Sequence, residues 1–371
     1  MIYLDNAATT RMYDEVIDIE SEMQKKYFAN PASIHSFAME CENLIKDTKE
    51  FIAKYINAKP DEIFFTKGAT ESNNIAINSF SSDKKEAITS KLEHASVYES
   101  FKNSNYKDIF YVKNDKNGVF DLKDLENLIT ENTSLISLIH VNNEIATIND
   151  IEEIGRVIKT KNPNTIFHVD ATQSFGKIKI DVKKAKIDIM SFSAHKIHGP
   201  KGLGAIFIKK DIINKLRPVL YGGRQEIVSS GTQNAPSIVA FKKALEIIDK
   251  RSNYEKIGEI KKYFIDRLNE IEDKKIISNI NMSSNYILNC AFKNIKSEVL
   301  VHFLEDEKIY VTSGSACSHG KKSRILENIN IGDEYIDGSI RFSFDESITK
   351  KDIDKTIDVL KYAIKFIREV Y

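Results

Sequence analysis

The sequence predicts an α/β protein: a large domain built on a mostly parallel sheet, followed by a smaller α+β domain. Up to about residue 250, short β-branched runs alternate with polar helical segments, and beyond it long amphipathic helices flank a few strands. With 371 residues the chain can bury a large core in one or two domains. We place the large domain at residues 13–255 and the small domain at residues 1–12 and 256–371.

The predicted strands of the large domain are apolar runs of strand length. In chain order they are EIFFT (62–66), KEAITS, DIFYV, SLISLIHV, TIFHVD, IDIMSF and AIFIKK. Helical segments such as TESNNIAINSF, DLKDLENLIT and DIEEIGRVIKTK lie between them. Because strands that alternate with helices form parallel sheets covered on both faces, we expect that architecture here.

The predicted small domain begins with the amphipathic segment YEKIGEIKKYFIDRLNEI and continues with two or three strands. The last helix carries an apolar stripe whose members recur at steps of four and three: Ile353, Ile357, Leu360, Ile364 and Ile367. Thr349 followed by Asp352 fits a capping box at its start. Both helices are therefore expected to pack on a core.

Composition and charge exclude several functional classes. Lys+Arg and Asp+Glu both number 54, so direct nucleic-acid binding or an anionic membrane is not expected. No apolar run approaches the ~20 residues of a membrane span, and the N-terminus does not resemble a secretory signal. Three scattered cysteines do not form a disulfide framework. We therefore expect a cytoplasmic, reducing compartment.

The residues directly after the predicted strands are the candidate ligand contacts, because ligands of such sheets bind beyond the carboxyl ends of the strands. After the first strand comes TKGATES, where Gly68 permits a tight turn and a helix begins. The amides of Ala69 and Thr70 there form a plausible anion cradle. The chain contains no G-x-x-x-x-G-K-[ST] loop, so a nucleotide-binding P-loop is not supported.

Other polar residues follow the remaining strands. They are His94, Asn142 to Glu144, Asp170, Gln173, Ser193, His195 and Lys196. Taken singly, Asp170 could cap a helix and His94 could be an ordinary surface residue. Lys196 could be a phosphate contact, a structural accident or a reactive amine. Their shared position at one edge of the sheet favours a functional site.

Many short motifs of this chain resemble those of one enzyme family. They are YLDNAATT, NPASIH, GATESNN, EHASV, HVNNEIA, HVDATQS, SFSAHKIHGPKGLGA, SSGTQN, TSGSACS and SIRFS. They occur in the order found in cysteine desulfurases, which belong to the class V branch of the pyridoxal-phosphate (PLP) enzymes, with fold type I. The resemblance runs from residue 2 to about residue 345 and implies a PLP-dependent transferase with a PLP-binding large domain.

The resemblance implies a role for each residue of the cofactor site. Lys196 resembles the lysine that forms the Schiff base with PLP, for which an amine must be partly neutral. Asp170 matches the carboxylate that pairs with the pyridinium nitrogen and so makes the ring an electron sink. The other matches are His94, stacked on the ring as a candidate proton shuttle; Gln173, at the ring hydroxyl oxygen; and Ser193, His195 and the Ala69–Thr70 amides, at the phosphate.

The resemblance also implies substrate and subunit contacts. Asn143, which is also a cofactor contact, and Arg341 resemble the groups that hold the carboxylate of L-cysteine. Arginine suits this role because its planar fork pairs with a carboxylate bidentately. Thr232 resembles a phosphate contact supplied by a second subunit, which implies a homodimer.

Cys317 is the candidate nucleophile. It lies in TSGSACSHGKK, which is rich in glycine and serine and is predicted to be a mobile loop of the small domain. Cys41 lies in a helical segment and Cys290 in an apolar strand, so both are interpreted as small buried hydrophobic residues. Three basic residues close to Cys317 favour its thiolate: His319, Lys321 and Lys322.

The implied reaction converts L-cysteine to L-alanine and leaves a persulfide on Cys317 for an acceptor in iron–sulfur cluster assembly or tRNA thiolation. The alternatives are a selenocysteine lyase, a transaminase of the same fold, or a non-catalytic interaction protein. The cysteine loop argues against the transaminase. The retained Lys196, Asp170, His94 and Arg341 argue against the non-catalytic protein.

The chain departs from the family pattern in three places. Family members carry arginines in a segment like G-G-G-Q-E-R-G-x-R-S-G-T. This chain has YGGRQEIVSSGT there: Arg224 is present, but the positions before the final SGT are occupied by Ile227, Val228 and Ser229. Ala194 stands where glycine is common. The chain ends at Tyr371, whereas housekeeping members extend into a tail that helps dock the iron–sulfur scaffold. The hypothesis that the sulfur goes instead to a dedicated acceptor, such as a tRNA-thiolating enzyme, therefore stays open.

Overall fold

The computed structural model describes residues 1–223, 228–251, 253–314 and 322–370. The first elements are β1 (Ile2–Tyr3), α1 (Asp14–Lys26), α2 (Ser36–Ile56), β2 (Ile63–Thr66), α3 (Ala69–Asn78), β3 (Glu86–Ser90), α4 (Ala95–Lys102), β4 (Asp108–Val112), α5 (Leu122–Leu128), β5 (Thr133–Ile139), α6 (Ile151–Lys161), β6 (Ile166–Asp170), β7 (Ile189–Ser193) and β8 (Gly204–Ile208). The remaining elements are α7 (Lys210–Ile213), α8 (Ala235–Arg251), α9 (Tyr254–Leu268), β9 (Lys274–Ile276), β10 (Ile287–Phe292), α10 (Ser297–Asp306), β11 (Ile309–Tyr310), β12 (Thr312–Ser313), α11 (Arg324–Asn328), α12 (Asp333–Ile336), β13 (Ser339–Ser343) and α13 (Lys350–Val370).

The large sheet is mostly parallel, as predicted. Among the described residues it has seven strands in the order β2-β8-β7-β6-β5-β3-β4. Only β8 runs antiparallel to its neighbours β2 and β7. Every residue of β6 and β7 is buried, as expected for parallel strands covered on both faces. Strand β3 pairs with β4 on one side and β5 on the other, so the winding reverses there and a crevice opens beyond the carboxyl ends of β3 and β5.

The second part of the fold is built on a smaller sheet. Its order is β12-β13-β10-β9 within the described ranges, with antiparallel pairing throughout. The sequence predicts two or three strands after α9, whereas the described chain has five. The difference arises because β11 and β12 contain two residues each, too few for a periodic pattern. The N-terminal strand β1 pairs in parallel with β11 and so joins the start of the chain to this part.

Two large hydrophobic cores underlie the two sheets. One packs α2, α6 and α8 on the large sheet, and it also takes in Ile325 and Leu326 of α11. The other is formed by α9, α10 and α13 on β10 and β13. Cys41 and Cys290 are fully buried in these cores, which confirms that they are structural thiols.

Helix α13 confirms its predicted stripe and cap. All members of the apolar stripe are buried. The Thr349 amide donates to the Asp352 carboxylate at 2.9 Å, and the Asp352 amide donates to Thr349 Oγ1 at 3.4 Å. The opposite face of α13 is charged. None of the helices in the described ranges combines the length and the apolar character that crossing a lipid bilayer requires.

Lys261 of α9 is a buried cation without a carboxylate partner among the described residues. It is 4% exposed, and its Nζ donates to Ser283 Oγ at 2.7 Å and to the Ser284 carbonyl at 2.8 Å. Burial lowers the pKa of its ammonium group to about 7. The unfolded chain, with an ordinary lysine pKa, therefore binds more protons than the folded chain above about pH 7.

Stability is therefore expected to rise with pH between about pH 7 and pH 10. The contribution of one proton is about 1.4 kcal/mol per pH unit. Lys261→Met should remove this contribution and flatten the dependence of the free energy of unfolding on pH, measured by urea titration at several pH values. Lys262→Met, at the exposed neighbouring position, is the control and should leave the slope unchanged. Equal slopes for all three proteins would contradict the prediction.

Candidate active site

A cavity of about 1010 Å³ lies beyond the carboxyl ends of the central strands of the large sheet. Its lining includes residues that follow β3, β5, β6 and β7, as predicted for ligand contacts. Most of the predicted site residues line it: Ala69, Thr70, His94, Asn143, Asp170, Gln173, His195, Lys196 and Arg341. The cavity also touches the small sheet through Thr312 to Gly314. The site is therefore shared between both parts of the fold.

Lys196 occupies a short 3₁₀ turn, Ala194–Lys196, directly after β7. Its Nζ donates to the carbonyl oxygens of Ala7 at 2.5 Å and Ala8 at 2.7 Å. Those carbonyls belong to the N-terminal segment, which is fixed to the same turn because the Thr10 amide donates to the His195 carbonyl at 3.0 Å. The amine is thus aimed across the cavity by backbone groups.

Asp170 ends β6 and is almost completely buried. One carboxylate oxygen accepts from the Thr172 amide at 3.0 Å and the Thr172 hydroxyl at 2.5 Å. The other accepts from Asn73 Nδ2 at 2.9 Å, and the same amide group also donates to Ser96 Oγ at 2.9 Å. These donors fix the orientation of the carboxylate at the floor of the cavity.

His94 is the N-cap residue of α4. Its Nδ1 accepts from the Ser96 backbone amide at 3.1 Å, and since an amide can only donate, the neutral ring carries its proton on Nε2. Burial lowers the pKa of His94 below its usual value. The ring is therefore a neutral imidazole near pH 7 that lines the cavity.

The predicted anion cradle forms at the start of α3. Gly68 is its N-cap, with a φ of 150°, and the amides of Ala69 and Thr70 follow it into the cavity wall. Strand β8 passes so close that a Cβ on Gly204 would lie 2.7 Å from the Gly68 Cα, so glycine is required there. Ser193, the last residue of β7, does not line the cavity; its buried Oγ has no hydrogen-bond partner among the described residues.

His195 lies beside this cradle. Burial, together with the charges of Lys196 and Lys201, lowers the pKa of His195 to about 4. Its Nδ1 lies 3.2 Å from Thr9 Oγ1. The neutral ring can therefore donate only one hydrogen bond toward a ligand.

Two amide side chains keep buried oxygens without a partner within the described residues. Gln173 donates through Nε2 to the Ala7 carbonyl at 2.9 Å, while its Oε1 accepts from no described group. The same is true of Asn143 Oδ1. Because buried polar atoms are usually hydrogen-bonded, these two atoms mark places where a polar ligand fits.

Arg341 reaches the cavity from β13. Its Nη1 donates to the Asn143 carbonyl at 3.0 Å, and its Nη2 donates to Asp5 Oδ1 at 3.0 Å. Its Nε is buried and has no acceptor among the described residues. The guanidinium group is thus held in place while some of its donors stay available.

The remaining predicted residues lie elsewhere. Thr232 is exposed and does not line this cavity. In the arginine-poor segment, Val228 is buried and Ser229 Oγ donates to Glu71 at 2.5 Å. Arg224, Ile227, His319 and Lys321 lie outside the described residues, as does Cys317 with the predicted mobile loop; Lys322 is described and lies 3.7 Å from Asp333.

Sequence reasoning assigned no role to several residues that the structure places at the site. Asn73 and Thr172 orient Asp170, and Asp5 pairs with Arg341. Glu144 accepts from Ser323 Oγ at 2.5 Å, beside the C-terminal end of the segment that contains Cys317. Asp5 lies in the motif YLDNAATT and Asn73 in GATESNN. Their position inside these motifs was the sequence signal that could have predicted a role at the site.

The donor set fits PLP. A phosphate matches the α3 amides and the orphaned Ser193 hydroxyl, and a protonated ring nitrogen matches Asp170. The Lys196 amine lines the same cavity, and His94 supplies a flat neutral ring. These groups therefore match the two ends and the face of one planar phosphorylated cofactor.

Comparison with known proteins agrees with the fit of the site to PLP. The Aminotransferase class-V family model matches residues 2–356. The cysteine desulfurase IscS of Dictyoglomus turgidum is 39% identical over 100% of this chain and 96% of its own length. The cysteine desulfurase IscS of Vibrio vulnificus is 35% identical over 100% of this chain and 94% of its own length.

Solved structures show the same relationship. A NifS-like protein superposes with a TM-score of 0.91 at 33% identity, covering 98% of this chain and 99% of that one. The protein SspA in complex with cysteine superposes with a TM-score of 0.82 at 32% identity, covering 93% and 99%. The chain therefore belongs to the class V aminotransferase family, within its PLP-dependent cysteine desulfurases.

Proposed function

We propose that this enzyme holds PLP on Lys196, takes sulfur from L-cysteine, releases L-alanine and carries the sulfur as a persulfide on Cys317. The observation that supports it best is that Lys196, Asp170, His94 and Arg341 line one cavity. When bound, PLP supplies an aldehyde for the amino group of the substrate and a ring that accepts the electrons of the broken Cα–H bond.

The amine of Lys196 moves the Cα proton. The carbonyls of Ala7 and Ala8 orient the amine. His94, neutral and protonated on Nε2, can pass a proton at the opposite wall. Asp170, held by Asn73 and Thr172, would pair with the ring nitrogen of the bound cofactor and keep it protonated.

Arg341 and Asn143 hold the substrate carboxylate. The two residues are neighbours, since Arg341 Nη1 donates to the Asn143 carbonyl, and both line the cavity. Charge-assisted bonds of this kind fix the rotation of the amino acid about its Cα. Fixing this rotation would determine which Cα bond the substrate presents to the cofactor.

Cys317 accepts the sulfur. Its thiolate attacks the substrate sulfur, an S–S bond forms, the Cβ–S bond breaks, and Cβ keeps the electron pair and takes a proton to give alanine. Gly314, three residues before Cys317, lines the cavity. The other two thiols are buried, and burial raises the pKa of Cys290 to about 12, so neither suits this step.

The relatives named above are desulfurases and give no support to the selenocysteine lyase or transaminase alternatives. We further propose that the enzyme is a cytoplasmic homodimer. Large exposed apolar side chains support a dimer: Phe28 is 76% exposed, Ile34 99% and Tyr221 87%. Exposed Thr232 is then available to the phosphate of the partner site.

The sulfur acceptor belongs to iron–sulfur cluster assembly or tRNA thiolation. The names of the curated relatives support the first. We also infer that the two cores correspond to two domains, residues 13–255 and residues 1–12 with 256–371. The separate cores around the two sheets support this division, with the exception of α11, which belongs to the second range but packs into the first core.

Reduction with borohydride tests the cofactor attachment. Treatment of the PLP-loaded enzyme followed by peptide mapping is expected to label Lys196. Lys201 lines the same cavity and serves as the internal control. Lys196→Ala should retain weak PLP binding through the phosphate and ring contacts without covalent attachment. A label on Lys201 would contradict the assignment.

Arg341→Ala tests the substrate contact. A charge-assisted pair contributes about 1.5–3 kcal/mol, so KM for L-cysteine should rise roughly ten- to a hundredfold. Arg341→Lys keeps the charge but loses the planar fork, and an intermediate KM is expected. Steady-state kinetics measure both. An unchanged KM in the alanine variant would mean that another group, such as Arg224, holds the carboxylate.

Cys317→Ser tests the sulfur acceptor. The variant should bind PLP and L-cysteine but produce no alanine, because a hydroxyl is a far poorer nucleophile toward sulfur than a thiolate. Mass spectrometry of the parent enzyme after cysteine, without reductant, should find one extra sulfur on the peptide that contains Cys317. Cys41→Ser and Cys290→Ser are the controls and should keep the chemistry, with at most a packing cost.

Two outcomes would overturn this proposal. Full alanine production by Cys317→Ser would indicate direct elimination of sulfur. Lost activity on L-cysteine with retained activity on L-selenocysteine would indicate a selenocysteine lyase.

A further inference from the structure

Arg341, the proposed carboxylate-binding residue, is already paired with a carboxylate of its own chain. Its Nη2 lies 3.0 Å from Asp5 Oδ1, and the side chains of Arg341 and Asp5 are 9% and 20% exposed. Both residues line the cavity. A ligand carboxylate that reaches Arg341 therefore meets an anion that is already bound there.

Asp5 cannot move away freely. Its segment pairs with β13, where Asp5 forms a β-bridge with Ser343 and the Ser343 amide donates to the Leu4 carbonyl at 2.7 Å. On the other side, the Ala7 amide donates to Ser343 Oγ at 2.8 Å. Asp5 and Arg341 thus project from two paired segments, and the backbone holds their side chains together.

The pair leaves room for a second carboxylate. A guanidinium group has five N–H donors, and the hydrogen bonds of Arg341 to described residues engage Nη1 and Nη2 once each. Its Nε is buried without a described acceptor. A ligand carboxylate can therefore bind through the second N–H group of Nη1 or Nη2 while Asp5 keeps its contact.

Such an arrangement places two carboxylates on one cation. In a partly buried site their mutual repulsion is screened less than in water. The Asp5 charge therefore opposes the entry of the second carboxylate, whereas an uncharged acceptor in its place would hold Arg341 without this repulsion.

We propose that Asp5 is the residue that limits the affinity of the carboxylate subsite: its charge weakens the binding of substrate and product carboxylates at Arg341. The inference rests on the proposed role of Arg341. Its consequence is that L-alanine, which presents the same α-carboxylate as L-cysteine, is released more readily than an unopposed arginine would allow.

The test is Asp5→Asn, which keeps the shape and an acceptor oxygen but removes the charge. L-Alanine binding to the PLP-loaded enzyme is measured from the change in the visible absorbance band of the cofactor. The variant should bind L-alanine about three- to tenfold more tightly than the parent. Ethylamine, which has the amino group but no carboxylate, should bind both proteins equally.

Two further variants complete the design. Asp345→Asn removes another acid near the end of β13, whose carboxylate accepts from the Ser347 amide whereas Arg341 pairs with Asp5, and the L-alanine affinity of this variant should match that of the parent. If Asp5→Asn does not load PLP, Asp5→Ser replaces it, with the same expected direction.

Unchanged or weaker L-alanine binding in the Asp5 variant would overturn the inference, as would an equal gain for ethylamine. Arg341→Ala separates this failure from that of the proposed function. If Arg341→Ala does not weaken L-alanine binding, the role of Arg341 fails and this inference fails with it. If Arg341→Ala weakens binding but Asp5→Asn does not strengthen it, only the inference fails.

Discussion

The site depends on the N-terminal segment from Asp5 to Thr10. Its Ala7 and Ala8 carbonyls accept from the Lys196 amine, and the Ala7 carbonyl also accepts from Gln173. The same segment is bonded to β13 through Ser343. These few residues thereby connect the turn that carries Lys196 with β13, the strand that carries Arg341. The relative position of the Lys196 amine and the Arg341 guanidinium group depends on these bonds.

Burial shapes the electrostatics of this site. It lowers the pKa of His195 to about 4 and of Lys177 to about 7, and nearby cations add to both shifts. After burial, the charges of Lys196 and Arg341, which both line the cavity, lower the pKa of Lys177 further. Such surroundings favour an anionic cofactor and an amino acid carboxylate, and they favour neutral amines and imidazoles over charged ones.

The described part of the arginine-poor segment lies next to the anion cradle. Ser229, in the arginine-poor segment, donates to Glu71 in the first turn of α3. Lys67 and Lys201 line the same end of the cavity and leave cations close to it. The cradle itself depends on backbone amides and on the Gly68–Gly204 contact, so losing arginines from a separate segment does not remove it.

The sequence alone determined the alternation of helices and strands, the sheet class, the α13 stripe and cap, and the residues at the strand ends. Those features depend on local periodicity and on the rule that ligands bind beyond parallel strand ends. Only the tertiary structure decided which side chains meet over long separations: Asp5 with Arg341, and Asn73 with Asp170. It also decided the strand order, the antiparallel β8, the two-residue strands and the packing of α11 on the first core. No local pattern encodes such contacts, because they arise from the packing of elements that lie far apart in the chain.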